Sequence, residues 1–213
     1  MQKKIETGIV FDFDDTLVNT SHTILKRLFI LVNKYGIDEG VMYLYNLLLD
    51  ERREDILGRR YADAKGIWSE YEKLRRKFQV TPFPGVREKI QTLKQKGAPL
   101  GIITRTKRRK IDLFLKEARL SQTSFPLGIY TSENNPFNKP NTKCFDLIKE
   151  RCDSPLVYIG DELQDLRVAK DSGLEFVAVC TGMTNKEAFL NEGLQSSRIF
   201  PCLSEVQFET GRY

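Results

Sequence analysis

From Pro82-Phe83-Pro84-Gly85 onward the sequence alternates short apolar runs with amphipathic stretches, and that rhythm confines the chain to few folds. Val86, Ile90 and Leu93 fall at helical spacing over 86–96, and Gly97 stops the pattern. PLGIIT (99–104) reads as a strand, with a helix near 107–118, a strand near 127–131 and a helix near 141–151 after it. LVYIG (156–160), a helix over 162–172 closed by Gly173, and EFVAVC (175–180) continue the alternation. A short strand and helix finish the chain. This order predicts an α/β fold, a doubly wound parallel sheet with helices on both faces.

An isolated apolar run, GIVFDF at 8–13, must join that sheet because it has no other partner. The stretch between, roughly 19–80, carries no strand signal. Ile24, Leu25, Leu28, Phe29 and Val32 repeat at helical spacing. So do Val41, Tyr45, Leu48 and Leu49, and again Ile67, Trp68, Tyr71, Leu74 and Phe78. These stripes read as packing faces. Two domains are therefore expected: a sheet domain from 1–18 and 81–213, and a helical domain inserted at 19–80.

Composition removes several chemistries. The only histidine is His22, so there is no HExxH pair and no GxSxG serine for it to serve. The four cysteines form no CxxC pair and fit no common zinc spacing, so they read as reduced, small apolar side chains. Neither GxxxxGK[ST] nor GxGxxG occurs. No run approaches the roughly 18 apolar residues of a membrane span. The opening MQKKIETGIVFDFDD argues against a secretory signal, so a cytoplasmic protein without membrane partners is expected. The 34 Lys and Arg against 29 Asp and Glu give a net charge of +5. That suits an anionic substrate but is too small to argue for nucleic acid. The basic clusters at 75–77 and 107–110 read as solvated helix faces.

Open parallel sheets bind ligands at the carboxyl ends of their strands. There the first strand delivers Asp12, Asp14 and Thr16, and the 99–104 strand delivers Thr104 and Arg105. Asn138-Lys139-Pro140 follows the third, and Gly160-Asp161-Glu162 the fourth, with Asp165 one helical turn on. Four converging carboxylates and one lysine repel unless a cation sits among them. Hard oxygen ligands at a partly hydrated position favour Mg²⁺, which can also bridge carboxylates to a phosphoryl oxygen.

FDFDDTLV (11–18), IIT (102–104), Lys139-Pro140 and IGDELQD (159–165) resemble, in order, the four motifs of the haloacid dehalogenase superfamily. PFPGVREKIQTLKQKG resembles the segment leading from cap to core in its phosphoglycolate phosphatase-like branch. The resemblance implies a Rossmann-like core over 1–18 and 81–213 with residues 19–80 as a helical cap. It implies a Mg²⁺-dependent phosphatase of small phosphorylated metabolites that works through an aspartyl-phosphate. Asp12 would be the nucleophile and Asp14 the acid and base. Asp12, the Asp14 carbonyl and Asp161 would hold the metal, with Asp165 supporting the shell and orienting Lys139. Thr104 and Lys139 would bind the phosphoryl oxygens. Arg105 stands where many of these phosphatases have asparagine, as either a further phosphate contact or a salt-bridge partner. True dehalogenases lack an acid at the position of Asp14, and the ion pumps have threonine there, so phosphate chemistry is favoured.

Specificity would come from the cap, where Arg52, Arg53, Arg59 and Arg60 are the candidates and His22 lies just past the hinge. Each also fits an ordinary exposed side chain. A phosphomutase of the same fold and a non-catalytic binding or regulatory module are the alternatives. The chain is expected to act as a monomer or homodimer.

Overall fold

The computed structural model describes residues 7–48 and 53–208. The chain divides into two compact units, one of residues up to Asn19 and from Thr81 onward, the other of Thr20–Val80.

The first unit is built on six parallel strands: β1 (Gly8–Phe11), β2 (Leu100–Ile103), β3 (Gly128–Tyr130), β4 (Leu156–Gly160), β5 (Glu175–Val179) and β6 (Ile199–Phe200). Their order across the sheet is β3-β2-β1-β4-β5-β6. The chain therefore winds outward in both directions from β1, which pairs Val10 with Gly101 on one side and with Tyr158 on the other. Every residue of β1, β2 and β4 is buried, the mark of strands covered on both faces. That burial explains why these strands read as unbroken apolar runs.

In the second unit, α1 (Thr20–Tyr35), α2 (Gly40–Leu47), α3 (Arg53–Gly58) and α4 (Ala64–Lys77) enclose a core of their own. Leu28 and Leu31 of α1 meet Leu44 and Leu47 of α2, Leu57 of α3, and Ile67, Tyr71 and Leu74 of α4. The sequence pattern gave three helical stripes. It missed α3, whose six residues are too short to show a period. Arg27 is buried here and its guanidinium Nε donates to the Phe78 carbonyl at 2.8 Å. A cation is thereby set on the end of α4, where the helix leaves its carbonyls unpaired.

The remaining helices flank the strands: α5 (Val86–Gln95), α6 (Arg108–Glu117), α7 (Asp146–Lys149), α8 (Leu163–Asp171) and α9 (Lys186–Asn191). The expected helix near 141–151 is a 3₁₀ turn, Thr142–Phe145, running into the single turn of α7. At the C-terminus the order is helix, then the two-residue β6, then a 3₁₀ turn at Leu203–Glu205. Helix α8 buries Leu166, Val168 and Ala169 against the sheet and ends at Gly173, whose φ of 69° suits glycine. On one face of the sheet a row of aromatic rings, Phe145, Tyr158, Phe176 and Phe189, packs at centroid distances of 5.0 to 6.3 Å. Among the described residues no helix is long and apolar enough to cross a membrane.

Candidate active site

The candidate residues gather where β1, β2 and β4 end. Asp12 follows β1 directly, and its amide donates to the Ile159 carbonyl at 2.8 Å, which locks it against β4. The chain then turns tightly, with the Leu17 amide on the Phe13 carbonyl and the Asp15 amide on the Val18 carbonyl. Asp15 adopts a φ of 56°, a conformation that aspartate tolerates better than most residues. This turn carries Asp14 and Thr16 back towards the strand ends.

Lys139 is the hub. Its ammonium lies 2.6 Å from Oδ1 of Asp12, 2.6 Å from Oδ1 of Asp165 and 2.8 Å from the Tyr158 hydroxyl. Tyr158 in turn donates to Oδ1 of Asp165 at 3.0 Å. The edge-on packing of Phe145 against the Tyr158 ring fixes where that hydroxyl sits. Oδ2 of Asp165 accepts from the Glu162 amide at the start of α8, at 3.3 Å. Both oxygens of Asp165 are thus committed, one to the lysine and one to the helix end.

Asp161 lies next to this hub and is 2% exposed. Its Oδ1 accepts from the Thr16 hydroxyl at 3.0 Å. Its Oδ2 faces Gly182, where a Cβ would land 1.9 Å away. Asp12, Asp161 and Asp165 each bring a carboxylate oxygen to within 4.8 Å of the others. Burial, then the neighbouring Asp12 and Asp165, push the Asp161 carboxyl up to about 9. Burial also raises Asp12 to about 7, although Lys139 opposes the shift. Burial would lower the Lys139 ammonium, but Asp12 and Asp165 outweigh it, so the lysine is raised and stays charged. One ammonium answers Asp12 and Asp165, while Asp161 is met by a hydroxyl. The donor set is all oxygen and short of positive charge, which fits a hard divalent cation.

The side chain of Asp14 points elsewhere. Its Oδ2 accepts a hydrogen bond from the Thr106 hydroxyl, and its carboxylate stands outside the metal-type cluster. Thr104 is buried at the end of β2, and its Oγ1 accepts from the Thr106 amide at 3.0 Å. Arg105 projects between them to the surface and forms an ion pair with Glu162 at 3.5 Å, both side chains about half exposed.

The structure therefore brings together Asp12, Lys139, Asp161 and Asp165, and joins Asp14 to Thr104 through Thr106. Sequence reasoning missed Thr106, Tyr158 and Gly182. A second hydroxyl two residues after Thr104 was the available signal for the first. Tyr158 lies inside an apolar strand and reads as core. Of the arginines in the helical unit, Arg52 and the side chain of Arg53 lie outside the described residues. Arg60 pairs with Glu39 at 2.9 Å, and Tyr61 also donates to Glu39. Arg59 and His22 are exposed.

A family model described as haloacid dehalogenase-like hydrolase matches residues 9–179. The chain is 24% identical to pyrophosphatase PpaX of Bacillus mycoides, over 95% of this chain and 99% of that protein. It is 26% identical to a phosphoglycolate phosphatase of Synechococcus elongatus, over 86% of this chain and 88% of the relative. Among solved structures, a Thermotoga maritima protein provisionally named beta-phosphoglucomutase superposes with a TM-score of 0.70. It is 20% identical and covers 93% of this chain and 95% of its own, which shows a shared fold.

Proposed function

The chain belongs to the haloacid dehalogenase-like hydrolases, and we propose that it is a Mg²⁺-dependent phosphatase acting on a small phosphorylated metabolite through an aspartyl-phosphate. The observation that carries this reading is the Lys139 ammonium bridging Asp12 and Asp165 at 2.6 Å each, with Asp14 two residues beyond Asp12. A cofactor-free binding module has no use for a buried carboxylate held ready beside a second acid.

In this reading a carboxylate oxygen of Asp12 attacks phosphorus. The bond to the leaving oxygen breaks as Asp14 delivers its proton there. Asp14 then takes a proton from the water that hydrolyses the aspartyl-phosphate, releasing phosphate and restoring Asp12. Thr104, Lys139 and the backbone amides after Asp12 hold the equatorial oxygens, where most of the stabilisation in phosphoryl transfer resides. A Mg²⁺ ion held by Asp12, Asp161 and the Asp14 carbonyl would neutralise phosphate charge. Asp165 holds Lys139 in place. We also assign the helical unit the role of a cap that selects the leaving group, with Arg59 more available for that than the paired Arg60.

Phosphate release from 4-nitrophenyl phosphate, 2-phosphoglycolate and inorganic pyrophosphate, with and without Mg²⁺, tests the proposal beside Asp12→Asn. The names of the relatives motivate the last two compounds. Release that needs Mg²⁺ and vanishes in Asp12→Asn is the expected result. No release from any of them by folded, Mg²⁺-loaded protein would overturn it, and isomerisation of a sugar phosphate without release would put a mutase in its place.

A further inference from the structure

Thr106 does two things at once. Its side-chain hydroxyl donates to Oδ2 of Asp14, and its backbone amide donates to Oγ1 of Thr104 at 3.0 Å. Its carbonyl accepts from the Ser132 amide at 3.4 Å, so the residue is tied at amide, side chain and carbonyl. It is 8% exposed. A threonine so placed cannot turn its hydroxyl without breaking a bond to a partly buried acid.

We propose that Thr106 is a positioning residue that presents Asp14 to the leaving group. The inference rests on the phosphatase reading above and deepens it. A carboxylic acid has two oxygens, and a leaving oxygen is protonated by whichever carries the proton. With Oδ2 accepting from Thr106, the carboxyl group of Asp14 is held in one orientation. The hydroxyl therefore selects the rotamer in which the acid meets the leaving group. In the step concerned, the bond from Asp12 to phosphorus forms and the bond from phosphorus to the leaving oxygen breaks. The proton of Asp14 passes to that oxygen, and Asp14 is left as a carboxylate still held by Thr106. The amide of the same residue orders Thr104. Because Oγ1 of Thr104 accepts from it, the Thr104 proton is directed to another acceptor, as a donor to a phosphoryl oxygen must be. Substituting the side chain at 106 removes the contact to Asp14 and keeps the one to Thr104.

Leaving groups separate this role from a structural one. A 4-nitrophenolate departs without needing a proton, whereas an alkoxide needs one. The parameter to compare is kcat/KM, which ends at the first irreversible step and so excludes hydrolysis of the aspartyl-phosphate. In the Mg²⁺-loaded full chain, Thr106→Val is expected to lower kcat/KM for an alkyl phosphate by about tenfold or more. For 4-nitrophenyl phosphate the loss should stay within about threefold. Thr106→Ser, which restores the hydroxyl, should bring the two substrates back together. Thr106→Ala removes the same group with less bulk and serves equally if valine is not accommodated. An equal loss on both substrates, or none on either, would overturn the role of Thr106 while leaving the phosphatase standing. A wild-type chain that cleaves neither substrate would overturn both.

Discussion

The hydroxyl of Thr16 donates to Oδ1 of Asp161 at 3.0 Å, across 145 positions of sequence. It fastens the turn after β1 to the end of β4, and it is the polar contact that orients the most deeply buried acid of the proposed metal set. Replacing it with an isosteric apolar group, Thr16→Val, leaves that carboxylate short of a donor. Outer partners of this kind are worth about 10–100-fold in metal affinity. We expect the Mg²⁺ concentration for half-maximal thermal stabilisation to rise by about tenfold. An unchanged midpoint would show that Asp161 does not bind the ion.

Gly182 presses on the same carboxylate from the other side. A Cβ there would stand 1.9 Å from Oδ2 and 2.9 Å from Cγ of Asp161, so Gly182→Ala must displace the acid. The substitution adds one methyl group at the edge of the site and changes no charge. It is expected to abolish Mg²⁺-dependent stabilisation and phosphate release while the chain stays folded by circular dichroism. Retention of both would mean that the loop at 181–182 yields more easily than its packing suggests.

Removing the lysine should be costlier than removing its partner. Lys139→Met leaves Asp12 and Asp165 buried together without their shared cation, an arrangement that typically costs about 3–5 kcal/mol. Asp12→Asn leaves Lys139 paired with Asp165 at 2.6 Å. Denaturant melts should therefore place Lys139→Met well below Asp12→Asn in stability, with both inactive. The reverse order would contradict the reading of Lys139 as the hub.

The raised carboxyl of Asp161 ties metal response to pH. Without a cation its ordinary value of 3.8 rises to about 9 in the fold. Between those limits the folded chain holds a proton that the unfolded chain releases. Its contribution to stability is thus full below about pH 4 and lost as pH climbs through about 9. A divalent cation favours the ionised form and reverses that loss. The Mg²⁺-induced increase in Tm is expected to be larger near pH 8.5 than near pH 5.5. An equal or smaller increase at the higher pH would remove Asp161 from the metal set.

Much of this site is readable from sequence because the parallel sheet itself delivers it. Asp12, Thr104 and Asp161 each close an apolar run, so a strand assignment is also a location. Lys139 and Asp165 follow strands at short range and inherit the same position. What escaped was chemistry carried across the fold by residues with ordinary packing patterns. Tyr158 sits in LVYIG, where an aromatic residue reads as core, and its ring is core; the hydroxyl alone reaches Lys139. Gly182 has no signature, since its role is the space it leaves. In the helical unit, α3 hid because one and a half turns establish no period, whereas the 16 residues of α1 do.

The central place of β1 in the sheet has a consequence for how the protein is made. Chains are synthesised from the N-terminus, so Gly8–Phe11 emerge long before Leu100–Ile103 and Leu156–Gly160, the neighbours they need on either side. At roughly 5–20 residues per second, this apolar strand waits on the order of 5–20 s for β2 alone. The helical unit, whose core draws on Leu28 to Leu74, occupies that interval. The two acids at 161 and 165 and the lysine at 139 come later still. Asp12, the proposed nucleophile, therefore emerges well before the residues that will surround it.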